Sequence, residues 1–216
     1  KKRARHASSQ ASACSTQTCS LCFGGQGLPK TAKHENGLGA PKRKTKMEKQ
    51  IRILFVCHGN ICRSPMAEFI LREKAKELGL EDTVIVASAA TSEEELGNPV
   101  DPRAAAILHA HGIDCAEKRA RQMCKCDYDA YDYLIGMDRM NVANMRRIAG
   151  GDPCGKMCRL LDFAANPRDI ADPWYTGDFN AAFADICEGC TALLKRLKAQ
   201  RLVIPATVRV CHVQTR

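Results

Sequence analysis

A doubly wound α/β domain, with a four-stranded parallel sheet flanked by helices on both faces, is the fold this sequence predicts. Three observations point to it. From Ile51 onward, short apolar runs bounded by turn residues alternate with longer segments of helical periodicity. Strand, helix and strand follow one another within about 35 residues after Ile51, the spacing of a βαβ unit. The first apolar run ends in a glycine-containing loop that opens a helix, and the ligands of such folds sit at the carboxyl ends of the strands.

The elements follow in order. Ile51 to Val56 is the first strand, and the loop Cys57-His58-Gly59-Asn60-Ile61-Cys62-Arg63-Ser64 follows it. Ser64 is expected to cap the next helix, with Pro65 at its first position, where a missing N–H costs nothing. Ala67, Leu71, Ala75 and Leu78 share a helical face and Gly79 ends it. Thr83 to Ala87 reads as the second strand. Asp101-Pro102 opens a helix through His109, closed by Gly112. Tyr133 to Met137 is the third strand, and Asp138 caps a helix running to Ile148 before Gly150-Gly151. Met157 to Leu161 is the fourth strand. The last helix, from about Asp178 to Gln200, aligns Phe179, Phe183, Ile186, Cys190, Leu193 and Leu197 on one face.

The remaining segments lack such patterning. Residues 1–46 hold ten Lys or Arg and one Glu, whereas residues 47–216 hold 23 of each sign, so the formal charge of +9 belongs to the leader. With almost no large apolar residues, 1–46 reads as disordered. It lacks the apolar stretch of a secretory signal, has the basic, acid-poor look of a transit peptide without an amphipathic face, and reads best as upstream sequence before a start at Met47. Residues 201–216 read as a loose tail. A balanced domain without a basic stripe argues against nucleic-acid binding. No apolar run reaches the ~20 residues of a membrane span, so no membrane partner is expected. Thirteen cysteines, an odd number in a chain of 216, suit small buried residues in a reducing cytoplasm better than a disulfide scaffold. Cys14, Cys19 and Cys22 have zinc-like spacing but no second ligand pair follows, and no metal is expected.

Strand, tight loop and helix together make an anion site. Successive loop N–H groups and the free N–H groups of the helix's first turn converge, and the helix dipole adds positive potential. The same field favours a thiolate, because such settings lower a cysteine pKa to about 3.5–7.5. Cys57 is therefore the expected nucleophile, and Arg63 supplies planar paired donors for two phosphate oxygens. Ser64 can aim its hydroxyl at the sulfur. Asn60 tolerates the left-handed backbone that a curled loop needs, and Ser88 is placed to hydrogen-bond its side chain.

Cys-x5-Arg-Ser after a strand, with Gly59, Asn60 and Cys62 inside the loop, resembles the low-molecular-weight protein tyrosine phosphatases. The resemblance runs from about Met47 to Gln200. It passes through Ser88-Ala89-Ala90-Thr91-Ser92, Gly97-Asn98-Pro99-Val100-Asp101, His111-Gly112-Ile113, Arg119-Ala120-Arg121-Gln122, Met137-Asp138 and Asp172-Pro173-Trp174-Tyr175. It implies a phosphatase domain over 47–200 that hydrolyses phosphotyrosine in proteins through a cysteinyl-phosphate, without metal or cofactor. Cys57 is then the nucleophile, Arg63 and the loop His58 to Ser64 hold phosphate, and Asp172 protonates the leaving group. From the residues alone Asp172-Pro173 is one of three Asp-Pro pairs that serve equally as helix starts. The resemblance also implies that Trp174 and Tyr175 line the cleft, although Trp174 stands where many relatives carry tyrosine. His58 reads as a rim residue. Cys62 reads as a small core residue, and the resemblance implies instead a reversible disulfide with Cys57. Many relatives add a histidine just before Ala-Arg-Gln; here Arg119, preceded by Lys118, occupies that stretch.

Three rivals share these residues. Arsenate reductases of the same fold add a cysteine relay, for which Cys124 and Cys126 or Cys115 are candidates. A phosphoarginine phosphatase would favour threonine at Ile61, where isoleucine offers an apolar wall. A phosphate-binding module without turnover would have no need of Cys57, Arg63 and Asp172 together.

Overall fold

The computed structural model describes residues 50–203; the expectations for the leader 1–46, for Cys14, Cys19 and Cys22, and for the tail beyond 203 lie outside them. The core strand β1 (Ile51–Cys57) pairs in parallel with β2 (Val84–Ala90) on one side and β3 (Tyr133–Gly136) on the other, and β3 pairs with β4 (Met157–Arg159), giving the order β2-β1-β3-β4. Strand alternation sorts β1 between two cores. Ile53 and Phe55 join one, Leu54 and Val56 the other. The first core also takes residues of α1 (Arg63–Glu77), α2 (Pro102–Ala110) and α6 (Phe179–Val203), and the second takes Val142, Met145 and Ala149 of α4 (Arg139–Ala149). Helices on both faces of a parallel sheet are the predicted doubly wound arrangement. The chain leaves β1 first for β2 and later for β3, so the order reverses beside β1, and the carboxyl end of β1 lies where such folds bind ligands.

Several boundaries differ from the sequence expectation. The second strand continues three residues past Ala87, because Ser88, Ala89 and Ala90 register against Phe55, Val56 and Cys57; pairing with a buried strand overrides their weak strand propensity. The third strand ends at Gly136, one residue before Met137. The fourth strand stops at Arg159. Asp162 accepts from the Arg159 N–H (2.8 Å), and Leu160–Phe163 forms a 3₁₀ turn that buries Leu160 and Leu161. The first long helix starts at Arg63, not Pro65, and Ser64 makes no cap hydrogen bond. Ala67, Leu71 and Ala75 are buried as expected, but Leu78 falls at the helix end and is exposed. Asp101 and Asp138 do cap α2 and α4, accepting from the Arg103 N–H (2.8 Å) and the Asn141 N–H (2.6 Å). The last helix reaches Val203, so the expected tail begins as helical backbone.

Two short helices, α3 (Asp127–Ala130) and α5 (Pro173–Thr176), complete the fold. No helix among the described residues is long and apolar enough to cross a membrane.

Candidate active site

The loop after β1 is held by its carbonyls. Cys57 O and His58 O accept from the Thr91 N–H (2.8 and 3.0 Å), His58 O also from the Ser92 N–H (3.0 Å), and Ile61 O from the Asp101 N–H (2.8 Å). In a planar trans peptide the N–H of the next residue points opposite to the carbonyl. Tying these carbonyls outward therefore turns the N–H groups of His58, Gly59 and Cys62 inward, toward the concavity at the start of α1. Asn60 completes the curl at φ +59°, the left-handed region that asparagine enters more easily than most residues.

Cys57 Sγ lies at the floor of this concavity, with Ser64 Oγ at 3.1 Å and the Asn60 N–H donating to it at 3.3 Å. The Asn60 side chain sets the proton order around it. Its amide donates to Ser64 Oγ and Ser88 Oγ (both 2.8 Å) and its carbonyl oxygen accepts from the Arg121 N–H (3.2 Å). Ser64, having accepted from Asn60, has its one hydrogen within reach of both the Cys57 sulfur (3.1 Å) and the Ala89 carbonyl (3.4 Å). Ser88 donates in turn to Glu68 (2.6 Å), and Lys118 pairs with the same carboxylate oxygen at 2.8 Å. Glu68 is buried, and Arg72 holds its other oxygen at 2.6 Å. The far side of the brace is thus a lysine and glutamate pair. Arg119 instead turns to its own segment, donating to the Ala116 and Lys118 carbonyls.

Arg63 is buried at the head of α1. One guanidinium nitrogen donates to Asp138 (2.7 Å) and to the Ile170 carbonyl (3.0 Å); the other pairs with Asp172. Burial works against its charge, but Cys57, Asp172 and Asp138 outweigh that and hold its pKa above the ordinary arginine value. Asp172 does two things at once. Its other oxygen accepts from the Trp174 N–H (3.2 Å) and caps α5, so the helix-start reading of Asp-Pro and the cleft reading are both satisfied.

A cleft of about 120 Å³ opens here, lined by Cys57, His58, Gly59, Ile61, Cys62, Arg63, Asp172, Trp174 and Tyr175, with Glu94 and Glu95. Trp174 and Tyr175 stand exposed at its mouth, and the Arg103 guanidinium stacks over Trp174 (5.4 Å) and Phe179 (4.4 Å). His58 is on the rim, 3.0 Å from Glu94. Cys62 is a buried free thiol, as is Cys57; burial, with Asp101 and Cys57 adding to it, pushes the Cys62 pKa up and keeps it protonated. Every sequence-predicted site residue therefore converges on one place, either in the cleft lining or, for Asn60, Ser64 and Ser88, in the hydrogen-bond frame beneath it.

Among the described residues seven cysteines are free, four of them buried, whereas Cys124 and Cys126 are joined by a disulfide that the expectation of a reducing setting does not account for. Cys154 is also exposed rather than a core residue. Sequence reasoning also missed several residues of the site, Asp138, Glu68, Lys118, Glu94 and Glu95 among them. Asp138 had a signal as a helix cap and nothing to show that its second oxygen meets Arg63. Glu68, Lys118 and Glu94 look like ordinary surface charges until tertiary structure brings them to the loop. Among the described residues, no group of three or more His, Cys, Asp or Glu side chains is arranged to hold a metal ion.

This frame has close counterparts among known proteins. The family described as low molecular weight phosphotyrosine protein phosphatase matches residues 52–203. The low molecular weight protein-tyrosine-phosphatase YfkJ of Bacillus subtilis is 39% identical over 153 residues, covering 70% of this chain and 98% of that protein. Its crystal structure superposes with a TM-score of 0.70 at 38% identity, covering 72% of this chain and 99% of YfkJ. The human low molecular weight phosphotyrosine protein phosphatase is 35% identical over 150 residues, covering 67% of this chain and 94% of its own. A Drosophila arginine phosphatase structure is more distant in sequence, at 29% identity and a TM-score of 0.64, covering 68% of this chain and 98% of that one. With the match spanning the whole described fold and the loop, brace and Asp-Pro turn all inside it, the chain belongs to the low molecular weight phosphotyrosine protein phosphatase family.

Proposed function

We propose that the protein is a protein-tyrosine-phosphatase. The observation that carries this is the meeting, in one cleft, of a cysteine sulfur supplied with hydrogen bonds, a buried arginine and an aspartate from more than a hundred residues away. Cys57 attacks phosphorus in line. The inward N–H groups and Arg63 take the equatorial oxygens, whose charge grows in the transition state. The phosphate oxygens claim the Arg63 donors that Asp172 now holds, and the freed carboxyl turns to the leaving oxygen and protonates it. A cysteinyl-phosphate remains, and Asp172 as carboxylate then activates the water that releases phosphate. Ser64 stabilises the sulfur when it departs as thiolate. No step in this scheme calls on a metal or an organic cofactor.

Phosphotyrosine-containing proteins are the proposed substrates. Trp174 and Tyr175 at the mouth offer faces for a phenyl ring, and Ile61 gives an apolar wall where a guanidinium would want a polar partner. A thiolate nucleophile suits a reducing compartment, and we assign the protein to the cytoplasm on that ground.

The test is hydrolysis of a phosphotyrosine peptide beside phosphoarginine, without added metal, by the unmodified protein, Cys57→Ser and Asp172→Ala. The expected outcome is phosphotyrosine turnover that Cys57→Ser abolishes and Asp172→Ala slows by about 10²–10⁴-fold. Preferential turnover of phosphoarginine would move the assignment to the arginine phosphatases. No turnover of either by the unmodified protein, with arsenate reduced in a thioredoxin-coupled assay, would overturn it.

A further inference from the structure

Among the described residues outside the cleft, one group that the proposed chemistry leaves unused is the Cys124–Cys126 disulfide. Its partners lie two residues apart, so the covalent ring closes a loop too short to remove much freedom from the unfolded chain, and a structural staple is a poor account of it. Cys124, Lys125 and Cys126 are all exposed. Exposed disulfides are open to attack by a thiolate and are the labile ones, and in a reducing compartment a disulfide is transient.

The ring is also wired to the loop. The Cys124 N–H donates to Asp127 (2.8 Å), and Cys124 Sγ lies 3.5 Å from the same oxygen. Asp127 is buried and pairs with both terminal nitrogens of Arg121 (3.0 and 3.1 Å). The Arg121 N–H reaches Asn60 Oδ1, and the segment between them and the ring is pinned to the end of β2, where Ala90 bonds Arg121 and Met123. As a disulfide, Cys124 has no hydrogen to give Asp127. As a thiol it gains one, aimed at a carboxylate oxygen that already serves Arg121 and a backbone N–H.

We propose that Cys124 and Cys126 are a reversible thiol–disulfide site, closed by a peroxide and opened by a dithiol, whose state is passed to Asn60 through Asp127 and Arg121. In closing, one cysteine sulfur attacks a peroxide oxygen, leaving a sulfenic acid and releasing water. The second thiol then attacks that sulfur, forming the S–S bond and releasing a second water. In opening, a thiolate of the dithiol attacks one sulfur and the other leaves and is protonated. The second thiol of the reductant then resolves the mixed disulfide, so that two electrons and two protons pass from the dithiol to the pair. The site itself stands apart from the phosphatase assignment; its bearing on turnover rests on that assignment.

The test uses the full chain, treated with dilute hydrogen peroxide and then with dithiothreitol. Free thiols are alkylated in each state and mapped by peptide mass, with Cys57 followed in the same digest. The backbone amide resonance of Asn60, distant in sequence from the ring, is recorded in parallel. We expect Cys124 and Cys126 to be protected together in the oxidised protein while Cys57 still alkylates, and both to alkylate after dithiothreitol. The Asn60 resonance should move between the two states, and should stay fixed in Cys124→Ser, which cannot close the ring. Alkylation of both cysteines in both states overturns the site. Opening of the disulfide with an unmoved Asn60 resonance overturns the link to the loop. Neither readout depends on catalysis, so failure to hydrolyse phosphotyrosine would count against the phosphatase assignment alone.

Discussion

Asn60 concentrates the logic of the site in one side chain. Its amide spends both hydrogens on serines, its carbonyl anchors Arg121, and its backbone takes the left-handed turn that points neighbouring N–H groups inward. Replacing it with alanine strands Ser64 and Ser88 in a buried frame and removes a residue suited to positive φ. We expect Asn60→Ala to cost about 1–3 kcal/mol, measured by urea denaturation, and to lower kcat/KM together with it. The bond from Asn60 to Ser88 was legible in the sequence, because a loop asparagine and a serine on the adjacent strand have few other partners. The role of Ser64 was only half legible. Its place before Pro65 is a capping pattern, but the hydroxyl is taken by Asn60 and the sulfur, and the helix begins without it. The pairing of Arg63 with Asp172 was not legible at all, since two groups each expected to meet substrate give no sign from spacing that they meet each other.

At the scale of elements, helix starts proved the most readable feature. Asp101-Pro102 and Asp138 carry their own instructions in the local chain, and both cap as expected. Strand ends were less readable, because they depend on the neighbour: Ser88 to Ala90 are strand only because β1 lies beside them. Two consequences can be measured. Arg103 holds the Asp101 carboxyl below the ordinary carboxylate range, mainly through their side-chain hydrogen bonds. A lowered folded-state value means that the unfolded chain binds the proton more readily. The pair's stabilisation is therefore full above the ordinary value of about 4 and is lost as pH falls through the folded value. The stability gap between the unmodified protein and Arg103→Ala should be widest near neutrality and should close in acid, as read by urea midpoints across pH. The second consequence concerns α6, which crosses the 3₁₀ turn at Gly189. A Cβ there would sit 2.5 Å from Leu160 Cγ, a branch point with no room to retreat. Gly189→Ala should destabilise the protein by about 1–3 kcal/mol despite the better helix propensity of alanine, and a thermal melt would show it.

At the scale of the whole molecule, one strand organises both cores and the chemistry. Alternate residues of β1 feed the two hydrophobic layers, and its last residue is Cys57. The proposed nucleophile is thereby fixed to a strand whose residues Ile53 to Val56 are fully buried, while Asp172, Trp174 and Tyr175 come from a short capped turn at the surface. The alternation of elements made this architecture readable. The pattern left unread was the placement of charges on it, because a buried Glu68 and an exposed glutamate look alike in sequence. We propose the independently folding unit as residues 47–200, and expect that segment alone to match the full chain in kcat/KM on a phosphotyrosine peptide. A loss of more than about tenfold, equivalent to some 1.4 kcal/mol, would assign the flanking residues a part in catalysis.

The contact between Arg63 and Asp172 makes the cleft its own first ligand. An incoming anion competes with a tethered carboxylate, so the site discriminates by exchange: a monovalent anion offers little that Asp172 does not, whereas a phosphoryl group can fill the whole ring of donors and win. This intramolecular rival sets a threshold on affinity, and removing it should separate two quantities that usually move together. Asp172→Asn is expected to bind inorganic phosphate more tightly than the unmodified protein, by calorimetric titration, while turning over phosphotyrosine more slowly; equal or weaker binding would mean that the carboxylate yields its place without cost.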